Sequence, residues 1–166
     1  MHIRNKNNDI TVLPTWRPDQ LLAVDDLPAY RDYIHRLSEA ADIHISSFED
    51  LAESLYKRAE TFAEVGCLAS DHGIYEFYSS GYTQSEAEKI FRKIIAGKSI
   101  NETEKLKYRT AILHELAALN HDKGWVQQFH YGPLRNNNTR MYRQKGKDIG
   151  FDSMGKGSDA AGMAAF

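Results

Sequence analysis

Apolar residues recur at three- and four-residue steps along four stretches of this chain, and each stretch is bracketed by residues that start and stop helices. Asp25 and Asp26 precede Leu27-Pro28, after which Tyr30, Ile34, Leu37 and Ala41 fall on one face. Proline costs nothing in a first turn, where its missing N–H would have no partner. Ser47 and Asp50 are spaced as a reciprocal capping pair ahead of Leu51, Leu55, Ala59 and Phe62, with Gly66 beyond. Thr83 with Glu86 repeats that arrangement before Ala87, Ile90, Phe91, Ile94 and Ile95, and Gly97 closes it. Asn101 with Glu104 opens a fourth helix through Leu106, Leu113, Leu116 and Asn120, stopped by Gly124. Each predicted helix has an apolar stripe and a charged back, so each must pack against something. A last helix start falls at Ser158 or Asp159.

Between the helices lie three short apolar runs bounded by turn residues, Ile10–Leu13, Cys67–Ser70 and Trp125–His130, which read as strands. Each runs into ionisable side chains: Arg17 and Asp19 after the first, Asp71 and His72 after the second, His130 and Arg135 at the third. Strands alternating with helices and ending in polar groups describe a parallel α/β sheet or barrel, whose sites gather at the carboxyl ends of the strands. Roughly 50 residues separate successive strands, about twice a minimal strand-helix unit, so extra helices sit in each crossover. Three strands neither stabilise a parallel sheet nor close a barrel of eight. The chain therefore reads as a piece of a larger protein, with a small independent helical bundle as the other reading.

Composition narrows this picture. The 166 residues are 42% hydrophobic and 27% charged, enough for one domain with a sizeable core. Twenty-one basic against 23 acidic residues give a formal charge of −2, so no global field draws the chain to nucleic acid or a membrane surface. Cys67, the single cysteine, lies in an apolar run and reads as a buried thiol; no internal disulfide can form, which fits a reducing compartment. The N-terminus lacks a signal-peptide core, and no run approaches the roughly 20 apolar residues of a membrane span. The expected location is the cytoplasm.

The stretch from Phe129 to Arg140 is chemically the densest, delivering His130, Arg135, Asn136, Asn137, Asn138 and Arg140 from an apolar lead-in. Amides with donor and acceptor beside forked guanidinium groups suit a ligand rich in hydroxyls and carboxylate. Three consecutive asparagines also serve ordinary turns, where their side chains bond local backbone. His72, between Asp71 and Gly73, can serve as acid, base or donor, or be a surface histidine beside a capping Asp. Arg17 stands between Pro14 and Pro18, which stiffen its loop and limit its entropy loss on binding an anion. Metal patterns are missing: no His-x-His occurs, and His114-Glu115 is not followed by a histidine at the needed spacing. Arg135 to Lys147 holds five cations and no acid, which suggests phosphate or another anionic partner, though the aromatic interleaving of a single-strand binder is lacking. Glycines 146, 150, 155 and 157 fit neither a Walker sequence nor a dinucleotide fingerprint. A Ser-His-Asp set can be assembled from scattered residues, but no nucleophile elbow supports it.

In order and spacing, Val12-Leu13-Pro14-Thr15-Trp16-Arg17-Pro18-Asp19, Ala69-Ser70-Asp71-His72-Gly73, Trp125 through Gly132 with Arg135-Asn136-Asn137-Asn138-Thr139-Arg140, and Asp148-Ile149-Gly150-Phe151-Asp152-Ser153 resemble the uronate (glucuronate) isomerase family. The resemblance spans nearly the whole chain but only about the middle third of that family's length. It implies an α/β fold, a partial (β/α)8 barrel of the amidohydrolase type with long helical insertions, of which residues 1–166 form one central and predominantly helical segment. It implies interconversion of D-glucuronate with D-fructuronate, and of D-galacturonate with D-tagaturonate, by moving a proton between C2 and C1.

By the same resemblance His72 and His130 are the catalytic candidates facing the site. Arg17 would clamp the substrate carboxylate, and Arg135, Asn137 and Asn138 would bind substrate from the signature loop. The family's His-x-His pair and last-strand aspartate have no counterpart here. One divalent, zinc-like metal is therefore implied for the full-length enzyme and none for this stretch alone, its ligands unassigned, and the fragment is expected to be inactive by itself. The expected partner is a small sugar acid, with no nucleic acid and no membrane, and with an oligomer left open. Two competing readings stand beside this one: a helical, non-enzymatic module binding an anionic partner through Arg135 to Lys147, and another metal-dependent hydrolase on the same barrel.

Overall fold

Four long helices form where the spacing of caps and apolar residues places them in a computed structural model, which describes residues 11–155 and 159–166. Helix α1 (Leu27–Ala41) starts on Asp26, whose carboxylate accepts from the Ala29 N–H at 3.1 Å, and ends on Asp42 in the left-handed region at φ 52°. Helices α2 (Phe48–Glu64), α3 (Gln84–Ile95) and α4 (Glu102–Lys123) each open with a reciprocal capping box, Ser47/Asp50, Thr83/Glu86 and Asn101/Glu104. Backbone and side-chain hydrogen bonds from Ser46, joined by those from Ser47, pull the Asp50 carboxyl down to about 2 despite the opposing effect of burial. Gly124 closes α4 at φ 65°, a conformation glycine enters at little cost.

The helices pack around an aromatic centre. Phe48 meets Tyr108 edge-on at 5.9 Å between centroids and Phe91 at 6.4 Å, while Tyr30 packs on Tyr108 and shares a hydroxyl hydrogen bond with it at 2.7 Å. Burial pushes both phenols up, so each hydroxyl keeps its proton and uses the other as partner. Helix α4 departs from the expected stripe: Tyr108, Ala111, Ile112, Leu113, Leu116 and Leu119 are all hidden, because the other helices and the sheet enclose it from several sides. Among the described residues no helix is long and apolar enough to cross a membrane.

Strands β1 (Ala69–Ile74) and β2 (Val126–Tyr131) pair in parallel, with His72 opposite Phe129 and Gly73 opposite His130. The strand expected over Ile10–Leu13 is displaced: Ile10 lies outside the described residues, and 11–13 are irregular. Pairing is instead confined to Trp16, which bridges Ser70 in parallel through Trp16 N–H to Ala69 O at 3.1 Å and Asp71 N–H to Trp16 O at 2.9 Å. Pro14 and Pro18, which have no N–H to donate, flank that bridge and limit it. Three chain segments thus lie side by side, all pointing the same way.

Strand β1 begins two residues later than the predicted run and continues through Asp71-His72-Gly73, the part read as a loop. Pairing with β2 overrides the weak strand preference of Asp and Gly. Beyond β2, a small antiparallel pair of β3 (Pro133–Leu134) and β4 (Ser153–Met154) encloses helix α5 (Thr139–Lys145), which the sequence reading missed. Asp159 caps α6 (Ala160–Ala165), as one of the two expected positions; the other, Ser158, lies outside the described residues.

Candidate active site

Side chains alternate across a parallel ribbon, so register decides which groups can share a pocket. On β1, Ser70, His72 and Ile74 are buried, while Ala69, Asp71 and Gly73 are partly open. On β2, His130 and Gln128 stand on the open side, opposite Gly73 and Asp71, and Phe129 faces the covered side with His72. The open face therefore carries Asp71, Gly73, Gln128 and His130, and it receives Arg17 from the Trp16 bridge.

Contacts on this face are close. His130 Nε2 lies 3.0 Å from Asp71 Oδ1 and 2.7 Å from Gln128 Nε2. A neutral ring accepts from the Gln128 amide, whereas a protonated ring has Asp71 beside it as counter-ion. Asp71 Oδ1 is buried and makes no hydrogen bond, although His130 Nε2 approaches it. His130 thus has a place both with and without its proton. Arg17 Nη1 sits 3.5 Å from Asp71 Oδ2, and Arg17 Nε donates to Asp19 Oδ2 at 3.0 Å. Those carboxylates, Asp19 first, hold the guanidinium above its ordinary pKa against the opposing effect of burial.

Gly73 lies bare at the centre of this face. A Cβ there would stand 2.7 Å from Arg17 Nη2 and 3.8 Å from Arg135 Nη2, so two guanidinium groups approach the same bare backbone. Arg135 also pairs with Asp152 through Nη1 at 2.5 Å, and the second oxygen of Asp152 accepts from Asn136 N–H at 2.8 Å. This clasp fixes the loop after β2, with Asn136 in the left-handed region at φ 55°.

The predicted residues divide accordingly. Arg17, His130 and Arg135 come together around Gly73. His72 does not join them: it is fully buried on the other face, with Nε2 3.0 Å from Ser70 Oγ, Nδ1 3.3 Å from Asp19 Oδ1 and its ring tilted on Phe129. Asn137 donates to Ser153 Oγ and Asn138 caps α5 through Met141 N–H at 3.1 Å, so both amides serve the local turn. Ser70, His72 and Asp19 line up like a hydrolase triad, yet the serine is wholly buried within β1, where no substrate carbonyl can reach it.

Sequence reasoning marked Asp19 and Asp71 only as ionisable groups past a strand and gave no role to Gly73, Gln128 or Asp152. The signal for Asp71 and Gln128 was strand phase, since each is two residues from a residue that shares its face, Gly73 or His130. Among the described residues no group of three or more His, Cys, Asp or Glu side chains is arranged to hold a metal ion.

Comparison with known proteins decides the family. The family model described as glucuronate isomerase matches residues 1–166. The chain belongs to the glucuronate isomerase family. It is 47% identical over 167 residues to a uronate isomerase of Bacteroides fragilis, an alignment covering 99% of this chain and 36% of the relative. A uronate isomerase of Cellvibrio japonicus is 45% identical over 162 residues, covering 98% and 34%. The crystal structure of uronate isomerase from Thermotoga maritima superposes with a TM-score of 0.84 at 29% identity, covering 93% of this chain and 34% of that one. The chain spans about a third of the length of the curated relatives it matches.

Proposed function

We propose that this stretch forms one wall of the active site of a cytoplasmic uronate isomerase, and that its parallel strands belong to an amidohydrolase-type barrel completed by the rest of the protein. The observation that carries the reading is the convergence of Arg17, Arg135 and His130 around Gly73 on the open face of a parallel ribbon. The substrate is a hexuronic acid, glucuronate or galacturonate, whose products are the ketoses fructuronate or tagaturonate.

Each group has a task that follows from its chemistry. Arg17 and Arg135 take the carboxylate, since planar forks of donors match its two oxygens and both guanidinium groups approach Gly73. His130 holds a proton at Nε2 in one state and releases it in the other, as aldose-ketose isomerisation requires: a proton leaves C2, an enediol forms, and a proton returns at C1. Asp71 stabilises the protonated ring and keeps it oriented. The family implies a divalent metal, which would polarise the carbonyl; among the described residues no group of ligands is arranged to hold it.

The test is direct. The complete protein, supplied with divalent metal, should convert glucuronate or galacturonate into ketose, read by a ketose-specific colour reaction. Absence of ketose from both uronates removes the reading. The competing module that binds anions through Arg135 to Lys147 is disfavoured by Arg135 itself, which is already paired with Asp152 and lies near Gly73.

A further inference from the structure

We propose that Asp19, backed by the buried pair of His72 and Ser70, is the positioning residue that fixes the carboxylate-binding pose of Arg17. The proposal rests on the reading of Arg17 as a substrate-binding arginine, and it moves His72 from a reacting group to a supporting one.

Asp19 stands at the end of β1 and reaches both faces of the ribbon. One oxygen, Oδ2, accepts from Arg17 Nε at 3.0 Å and from the Gly73 N–H at 2.8 Å. The other, Oδ1, lies 3.3 Å from His72 Nδ1 on the covered side. The carboxylate is itself fixed from below: Pro18 precedes a 3-10 turn, Asp19–Leu22, whose Leu21 and Leu22 are buried in the core. His72 has both ring nitrogens occupied, by Asp19 and by Ser70 Oγ, and no exposure to solvent. It can affect a ligand only through Asp19.

The consequence for Arg17 is geometric. Its side chain is 49% exposed, so packing alone does not select a rotamer. Engagement of Nε by Asp19 sets the plane of the guanidinium, with Nη1 beside Asp71 and Nη2 over Gly73, the nitrogen left to meet a ligand. A charge-assisted hydrogen bond that pre-orders a long side chain is worth about tenfold in affinity.

The experiment uses the complete protein with Asp19→Ala and Asp19→Asn, and compares glucuronate with glucitol, a polyol of the same length that lacks the carboxylate. Asp19→Ala should raise the KM for glucuronate about tenfold, change kcat less than about threefold, and leave competitive inhibition by glucitol unaltered. Asp19→Asn retains acceptor and shape if alanine fails to fold, and should show a smaller rise of the same selectivity. Equal weakening of glucuronate and glucitol, or an unchanged KM in both variants, overturns the proposal. Wild-type protein that turns over no uronate overturns the isomerase reading instead; calorimetric binding of glucuronate to wild type and variants then decides the role of Asp19 by itself.

Discussion

Replacing Gly73 by alanine tests the pocket with a single methyl group. The backbone at Gly73 is not in the left-handed region, so alanine is allowed there, and in a strand it gains roughly 0.5–1 kcal/mol over glycine. The new Cβ would stand 2.7 Å from Arg17 Nη2, while ordinary contact begins at 3.4 Å, so the guanidinium must retreat by about 0.7 Å. The obstacle is the far end of a flexible side chain, so the fold absorbs it cheaply. The pose of Arg17 does not survive, because Nε is tied to Asp19 at 3.0 Å and a retreating fork loses its alignment with the ligand. Losing one or two hydrogen bonds to a charged group costs about 1.5–3 kcal/mol, a rise in KM of about 10- to 100-fold. Steady-state isomerisation of glucuronate by the complete Gly73→Ala protein measures this, with Tm expected to stay within about 3 °C of wild type. A KM within twofold of wild type at unchanged Tm refutes the account of Gly73 as bare backbone beside the carboxylate.

Other perturbations address separate parts of the structure. His130→Gln should lower kcat about 10²- to 10⁴-fold with a smaller effect on KM, and a kcat within fivefold removes the proton-transfer role. Tyr30→Phe leaves the Tyr108 hydroxyl buried without a partner and should cost about 1–3 kcal/mol in chemical denaturation, most of it recovered in the double variant Tyr30→Phe/Tyr108→Phe; additive losses would contradict the pairing. Burial pushes the Asp19 carboxyl up, but hydrogen bonds from His72, Gly73 and Arg17 outweigh it and leave the group below its ordinary value. A depressed folded-state pKa contributes stability that is full above the unfolded value near 4 and is lost as pH falls through the folded one. Tm of the wild type should therefore fall more steeply below about pH 4 than that of Asp19→Asn, and parallel curves would refute the assignment.

The helices were legible because their signals are local. Ser47 with Asp50, Thr83 with Glu86 and Asn101 with Glu104 close hydrogen-bonded boxes within a single turn, so spacing alone locates the helix starts. The strands were legible as runs but not as faces. Which side His72 takes is set by pairing with Phe129, far along the chain, and no local pattern distinguishes it from Asp71. The same limit hid the part Asp19 plays, since two of its partners, His72 and Gly73, are 53 and 54 residues away. Helix α5 was missed because its cap, Asn138, sits in a run of three amides and its seven residues are too few to display a period. The family resemblance correctly marked the segments that meet, but motif matching treats neighbours in sequence as neighbours in the pocket, and β1 separates Asp71 from His72.

The tilt of His72 against Phe129 links the Asp19–Arg17 pair to parts of the molecule far from the open face. Phe129 leans in turn on Phe77 at 5.0 Å and on Phe166 at 6.1 Å, so a row of rings runs from the imidazole into the hydrophobic interior. Enlarging or trimming a ring in that row would disturb the packing of the histidine and, through the aspartate, the aim of an arginine on the opposite side of the ribbon. Adaptation to a different sugar acid could accordingly begin with substitutions that look like ordinary interior repair.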